Sequence, residues 1–336
     1  MSQRILIVQT AWLGDNILTT PLVANVSSAG EVDVLTIPRW ADVYNGNPSV
    51  STVIPFDKNG SDRGLLGLWR TARVLHNRHY DVALIAQRWW RSAMLAKMAK
   101  IPVRIGFEIS VAKHLYTSSV PYDKSLHESH RLLELARPLV TTLQPVLPQL
   151  FPENRHFATA ETILKHAGWR ENEKIVAIAP TSAWQTKRYP FFDKVAELLA
   201  RRGFFIVSVG ANDDYETCFS SVSTLGNGKY AVLIGEELLT AAAAISIADV
   251  LIANDSGAGH IASAVRTPVV SVFGPTVPEQ GFAPLGRRNT IVQLDLNCRP
   301  CSAHGGKKCP YGHHRCMTEI APDEIVKAVI KTLEAK

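Results

Sequence analysis

The feature that most constrains this chain is a pattern met twice: short apolar runs rich in β-branched residues alternate with amphipathic segments. Such alternation is that of a parallel sheet flanked by helices. In the first half the strands are predicted at Arg4–Thr10, Val32–Ile37, Thr52–Pro55, Val82–Ala86 and Val103–Phe107, with helices over Asn16–Ser28, Leu65–His76 and Arg91–Lys100. The second half restarts with strands at Ile175–Ala179, Phe204–Gly210, Tyr230–Ile234, Val250–Ala253 and Val269–Phe273. Helices are predicted between them around Phe191–Arg202, Ala241–Ala248 and His260–Val265.

Between the halves, Pro145, Pro148 and Pro152 disfavour regular structure over Gln144–Pro152, which marks a linker or a slow crossover. The expected organisation is α/β: two consecutive doubly wound domains, 1–150 and 151–336. The tail Ala321–Lys336 opens with Pro322, Asp323 and Glu324 and continues at helical spacing through Ile325, Val329 and Leu333, so it is predicted as a closing helix. A length of 336 residues suits two domains, and 46% hydrophobic with 20% charged residues excludes a disordered or fibrous chain. No secretory signal is visible at the start. The most apolar stretch, Leu238–Ala253, is interrupted by Thr240, Ser246 and Asp249 well short of a membrane span. A cytoplasmic protein is expected.

In open sheets of this class ligands bind outside the carboxyl ends of the strands, so chemistry is sought in the loops that follow them. The first is Ala11–Asn16, which lacks the GxGxxG spacing of a dinucleotide site and instead presents Asp15. An aspartate there suits a helix N-cap and also a general base taking a proton from a hydroxyl nucleophile; the two roles are compatible. In Asn254–His260, Gly257 and Gly259 let the backbone approach closely, and the free amides of a helix start suit a phosphate or diphosphate. Asp255 could accept hydrogen bonds from sugar hydroxyls; the alternative is a Gly-rich cap over a buried His260. Ser256 is not framed as GxSxG, which argues against a serine hydrolase. The third loop, Pro180–Pro190, offers the Thr181 and Ser182 hydroxyls to phosphate oxygens and Lys187 or Arg188 to a charged leaving group.

These loops, in this order, resemble the heptosyltransferases of lipopolysaccharide core assembly, glycosyltransferase family 9. The resemblance is carried by RILIVQTAWLGDNILTTPL, TKRYP and ANDSGAGHIASAVRTPVVSVFGPT, spans nearly the whole chain and is closest to the second heptosyltransferase of the pathway. It implies a GT-B fold of two Rossmann-like domains facing a cleft, the first binding acceptor and the second nucleotide sugar. It further implies that Asp15 is the base that activates the acceptor hydroxyl. Thr181, Ser182 and Lys187 then form the donor-phosphate loop, with Asp255, Ser256, Gly257 and His260 holding the nucleotide sugar. Gly14 is carried over beside Asp15 on the acceptor side. Tyr189 stands where many members have Trp. The implied reaction is inverting transfer of heptose from ADP-heptose with no catalytic metal. Donor identity rests on resemblance alone, because no residue pattern here selects adenine or a seven-carbon sugar.

Two features remain. Cys298, Cys301, Cys309 and Cys316 lie within 19 residues, with His304, His313 and His314 nearby. Four thiolates suit a structural zinc or an iron–sulfur cluster, and free or partly oxidised thiols are the alternative. The segment Lys58–Arg104 carries ten basic and two acidic residues against a chain total of +6, leaving −2 for the rest. Within it, Arg88, Trp89 and Arg91 suit an anionic, lipid-linked sugar acceptor, since Arg binds carboxylate or phosphate. Attachment to an anionic inner-membrane surface at its cytoplasmic face is a second reading, and a solvated helix face a third. Two rival readings fit parts of the sequence: a relative using another nucleotide sugar or acceptor, and a metal-containing nucleic-acid-binding protein. Two α/β domains without an RNA- or DNA-binding motif argue against the latter, so no nucleic acid partner is expected.

Overall fold

A computed structural model describes residues 3–335. The chain divides into two compact units, Met1–Phe151 and Pro152–Lys336. In the first, β1 (Gln3–Val8), α1 (Leu13–Val26), β2 (Gly30–Thr36), β3 (Thr52–Pro55), α2 (Gly64–His76), β4 (Val82–Ile85), α3 (Trp90–Met98), β5 (Val103–Phe107), β6 (Ser118–Val120) and α4 (Glu128–Leu133) follow in order. The strands form a six-stranded sheet, β3-β2-β1-β4-β5-β6, with every pairing parallel. Ile5, Leu6, Ile7 and Val8 are all fully buried, which is why this central strand reads as an unbroken apolar run: helices cover both of its faces. On one face Leu6, Val8 and Ile85 pack with Leu68, Ala72 and Leu75 of α2 and with Leu95 and Ala96 of α3. The helix α2 buries Gly67, Leu68, Thr71, Ala72 and Leu75, a stripe at helical spacing. A Cβ at Gly67 would stand 2.2 Å from the Asp62 backbone, so the glycine lets the preceding loop press onto this helix.

The second unit comprises α5 (Asn154–His166), β7 (Ile175–Ala179), α6 (Phe192–Ala200), β8 (Phe205–Gly210), α7 (Tyr215–Ser220), β9 (Tyr230–Ile234), α8 (Leu238–Ile247), β10 (Val250–Asn254), α9 (Gly257–Ala264), β11 (Val269–Val272), β12 (Thr290–Val292), α10 (Arg315–Thr318) and α11 (Pro322–Glu334). Its six strands are ordered β12-β11-β10-β7-β8-β9, again all parallel. Counted along the chain and read from the opposite edge, this is the 3-2-1-4-5-6 order of the first unit, the doubly wound nucleotide-binding topology. The closing helix α11 packs Ile325, Val326 and Val329 with Val195 and Leu199 of α6 over Val270 and Val272. Lys336, which the sequence places in this helix, lies outside the described residues. Among the described residues no helix is long and apolar enough to cross a membrane.

The ten strands read from the sequence stand within two residues of their expected ends. Two further strands, β6 and β12, are three-residue edge strands, and Ser118 and Ser119 give β6 no apolar run to recognise. The helix α5 also escapes notice, because its buried stripe is His156, Ala160 and Leu164, a histidine and a small residue where a pattern search expects large apolar ones. The proline-rich Gln144–Pro152 segment is not a free linker over its first part. Asn25 of α1 donates to the Gln144 carbonyl at 2.9 Å and accepts its amide at 2.7 Å, while the Gln149 amide donates to Thr20 at 2.9 Å.

Asn16 ties three elements of the first unit. Its side chain is buried, donates to the Trp12 carbonyl at 2.9 Å and accepts from Thr36 at 2.7 Å and from the Tyr44 hydroxyl at 3.1 Å. Replacing Asn16 with Ala strands these partners and should cost about 1–3 kcal/mol. Thermal unfolding is expected to show a midpoint lower by several degrees, and an unchanged midpoint would contradict the role given to this side chain.

Candidate active site

Each sheet reverses its strand order once, between β1 and β4 in the first unit and between β7 and β10 in the second. At such a point the following helices leave on opposite faces and the loops part, which makes the crevice where doubly wound sheets hold ligands. The predicted residues fall at these two places. Asp15 and Gly14 follow β1, and Arg88, Trp89 and Arg91 follow β4; Thr181, Ser182 and Lys187 follow β7, and Asp255, Ser256, Gly257 and His260 follow β10.

Asp15 is the third residue of α1, not its N-cap, which is Trp12. Its carboxylate reaches back to accept the Trp12 amide at 3.1 Å, the reciprocal half of a capping box. Burial, followed by the negative charge of Glu128, pushes the Asp15 carboxyl up to about 6, against the pull of the Trp12 hydrogen bond and the Arg88 guanidinium. A carboxylate tuned toward neutrality is what proton abstraction near pH 7 requires. Gly14 is the second helical residue, so it adds a helix-start amide without a side chain next to this carboxylate.

Glu128 is itself buried and fixed. Arg131 donates to it at 2.8 Å and the Tyr122 hydroxyl at 2.9 Å. The Tyr122 ring carries two guanidinium groups, Arg131 and the exposed Arg88, each 5.1 Å from its centroid. Stacking on an aromatic ring holds Arg88 without using its hydrogen-bonding edge, which remains suited to a carboxylate or phosphate. Arg91 packs over Trp90 and Trp89 is 72% exposed, so Trp89 is a surface group rather than core.

In the second unit, Lys187 Nζ meets Asp255 Oδ2 at 2.5 Å, and Thr276 donates to the same oxygen at 2.6 Å; both charged side chains are nearly buried. Asp255 is thereby engaged with protein groups through one oxygen. Thr181 donates to Asp214 at 3.1 Å, so its hydroxyl faces the loop after β8 instead of standing free for a phosphate. Ser182 is buried, and its carbonyl accepts from Arg188 at 2.9 Å. Ser256 is the N-cap of α9, and its buried Oγ has no hydrogen-bond partner among the described residues. An unpaired hydroxyl among helix-start amides is the chemistry of an anion site. His260 is buried. Gly259 serves packing: a Cβ there would lie 2.8 Å from Pro284.

The cysteine-rich segment is joined to these loops. The Thr186 amide and hydroxyl both donate to the Gly306 carbonyl at 3.0 Å, and a His314 ring nitrogen lies 2.7 Å from the Thr186 carbonyl. Arg299 donates to the carbonyls of Gly274, Leu294 and Thr276. Thr276, one partner of Asp255, and Thr186, the chain neighbour of the other, are therefore both held from this segment. Cys298, Cys301, Cys309 and Cys316 are free thiols, near enough for the other three to act on Cys316, which burial pushes up to about 11. Among the described residues no group of three or more His, Cys, Asp or Glu is placed to hold a metal ion.

Several side chains that shape these sites carry no motif of their own. Glu128 and Tyr122 lie more than a hundred residues from Asp15 and are brought to it by the fold. Asn254 holds the loops after β7 and β10 together, accepting the Tyr189 amide at 3.0 Å and donating to the Pro180 carbonyl at 2.9 Å; the sequence shows it only as one member of the Asn254–His260 loop. Thr276 closes the motif that ends in GPT, and its spacing from Asp255 was the available signal.

The model of glycosyltransferase family 9 (heptosyltransferase) matches residues 68–312. Lipooligosaccharide heptosyltransferase 2 of Haemophilus ducreyi is 26% identical, covering 98% of this chain and 99% of its own. Among solved structures, a family 9 glycosyltransferase of Veillonella parvula superposes with a TM-score of 0.89 at 22% identity, covering 99% of this chain and 97% of that one. The ADP-heptose lipopolysaccharide heptosyltransferase II of E. coli gives 0.80 at 20% identity, with 98% of each chain covered. At these identities the superpositions speak for the fold.

Only the ionised Asp15 can accept a proton, so its capacity to do so should be retained above a pH of about 6 and lost as pH falls through that value. Glu128→Gln removes the neighbouring negative charge and leaves Arg131 unbalanced, both of which favour ionised Asp15. Carboxyl-carbon NMR should show the Asp15 titration moved to lower pH in that variant. An unmoved titration would remove Glu128 from the account.

Proposed function

The chain belongs to glycosyltransferase family 9, the heptosyltransferases, and from that we propose that it transfers a heptose from ADP-heptose to the lipid-linked inner core of lipopolysaccharide, with inversion at the anomeric carbon. The observation that carries this reading is a division of roles between the two switch points. One offers a carboxylate poised as a base, and the other a helix start with an unpaired hydroxyl beside a fixed ammonium group.

In the proposed mechanism the first unit holds the acceptor and the second the nucleotide sugar. Asp15 takes the proton of the acceptor hydroxyl as that oxygen bonds to the anomeric carbon. The bond from that carbon to the diphosphate breaks, and ADP leaves with the electron pair. Amides of Gly257 and its neighbours, Ser256 Oγ and Lys187 stabilise the charge that collects on the diphosphate. Asp255 keeps Lys187 oriented, and its remaining oxygen is available to sugar hydroxyls. Thr181, Ser182 and His260 shape the loops around the donor. Arg88, Arg91 and Trp89 meet the anionic acceptor, with Gly14 beside the base. The lipid anchor of that acceptor and the basic Lys58–Arg104 segment support a place at the cytoplasmic face of the inner membrane.

A structural zinc or iron–sulfur cluster at the four thiols is supported by their number and CxxC opening. Such a group would stiffen the segment that braces Thr186 and Thr276, and no step of the transfer passes through it. Elemental analysis of protein purified without added metal should find about one zinc or several irons per chain. Metal-free protein with full donor affinity would end this part of the proposal.

Calorimetry against a panel of nucleotide sugars is expected to single out ADP-heptose. Asp15→Asn should lower transfer by about 10²–10⁴-fold while donor affinity stays within about twofold. Near-normal turnover in that variant would remove Asp15 as the base, and tighter binding of another nucleotide sugar would overturn the donor assignment.

A further inference from the structure

The start of α2 is built unlike a solvated helix. Opposite the stripe that faces the core, Leu65, Leu66 and Trp69 are 77%, 83% and 54% exposed. Leu66 and Trp69 are followed at helical spacing by Arg70 and Arg73, and the Arg73 guanidinium lies over the Trp69 ring. A single exposed leucine needs no explanation, but this cluster does not stand alone. A cavity of about 180 Å³, lined in part by Leu65, Leu68, Trp90 and Arg91, joins the first turn of α2 to that of α3, where Trp89 and Trp90 are also exposed. The loops beneath are laced together: Lys58 donates to the Thr10 carbonyl at 2.6 Å and Ser110 to the Arg88 carbonyl at 3.0 Å. The apolar groups thus share the carboxyl edge of the first sheet, the edge that also carries Asp15.

We propose that the exposed face of the α2 start, Leu65, Leu66 and Trp69 with Trp90 of α3, inserts into the headgroup and acyl boundary of an anionic phospholipid membrane. Charge selects this occupant. The patch is bordered by Arg63, Arg70, Arg73, Arg88 and Arg91, of which Arg70 pairs with Asp62 at 2.6 Å, and this basic excess is complemented by a negative lipid surface and would repel a second copy of itself. Apolar side chains rimmed by arginines, with indoles at the border, are the composition of an interfacial helix. Two signals act together, attraction of the charges and burial of the apolar groups, and either alone would be weak. The inference rests on the proposed transfer to a lipid-linked acceptor and adds the surface that brings Asp15 to the bilayer.

Vesicle flotation tests it with no donor and no turnover, so its failure is separable from failure of the transferase reading. The wild-type chain should float with phosphatidylcholine vesicles containing phosphatidylglycerol and not with phosphatidylcholine alone, and brominated lipids should quench its tryptophan fluorescence. The Leu66→Ser/Trp69→Ser double variant removes two side chains from the apolar boundary. Its partitioning should fall by at least about tenfold, with donor affinity by calorimetry unchanged. Absence of wild-type binding would overturn the proposal. So would equal binding of the variant, or wild-type binding without quenching, since either means attraction by charge alone. Conversion by this variant of a vesicle-free oligomer into a monomer would assign the patch to a second copy and overturn it too.

Discussion

Parallel strand pairing is the constraint on which the rest of this structure depends. Strands that run the same way cannot be joined by tight turns, so each connection crosses back over a face of the sheet. Where the order reverses, between β1 and β4 and again between β7 and β10, the connections depart to opposite faces and leave the backbone at the carboxyl ends open. Asp15 and Arg88 stand at the first opening, and Lys187 and Asp255 at the second. A hydrophobic requirement, to bury both faces of strands such as Ile5–Val8, thus fixes where the polar chemistry can be.

Within the second unit the charged groups are held in place chiefly by their protein neighbours. Asp255 would be an expensive buried charge alone; Lys187 and Thr276 satisfy one of its oxygens, and Asn254 stitches the loops that carry it. Behind them the segment from Arg299 to His314 grips Thr186 and the Gly274–Thr276 turn. That gives the cysteine-rich stretch a structural meaning independent of any occupant: it backs the loops after β7 and β11, next to Lys187.

The first unit works by electrostatic tuning. A carboxylate at the third position of a helix is ordinarily favoured as an anion by the helix dipole and by its own capping hydrogen bond. Here burial and Glu128 outweigh those effects and Asp15 is pushed up to about 6. Glu128 can sit buried nearby because Arg131 and Tyr122 satisfy it, and Tyr122 also supports Arg88. One buried cluster thereby adjusts the Asp15 carboxyl and positions the Arg88 guanidinium.

The alternation of apolar runs and amphipathic segments determined ten strands and the doubly wound class, because buried parallel strands must be apolar on both faces and that shows in any window. Strands β6 and β12 were hidden because three residues at a sheet edge carry no periodic signal, and α5 because it buries a histidine and an alanine in place of large apolar groups. The loop motifs likewise exposed Asp15, Lys187 and Asp255, whose types and places after strands are local properties. What those residues touch was decided by tertiary structure alone. Thr181 turned to Asp214, Gly259 made room for Pro284, and Glu128 came to Asp15 across more than a hundred residues of chain. Sequence records which groups are present and at what spacing, whereas hydrogen bonds and fields depend on distance in space, and only the folded sheet sets that distance.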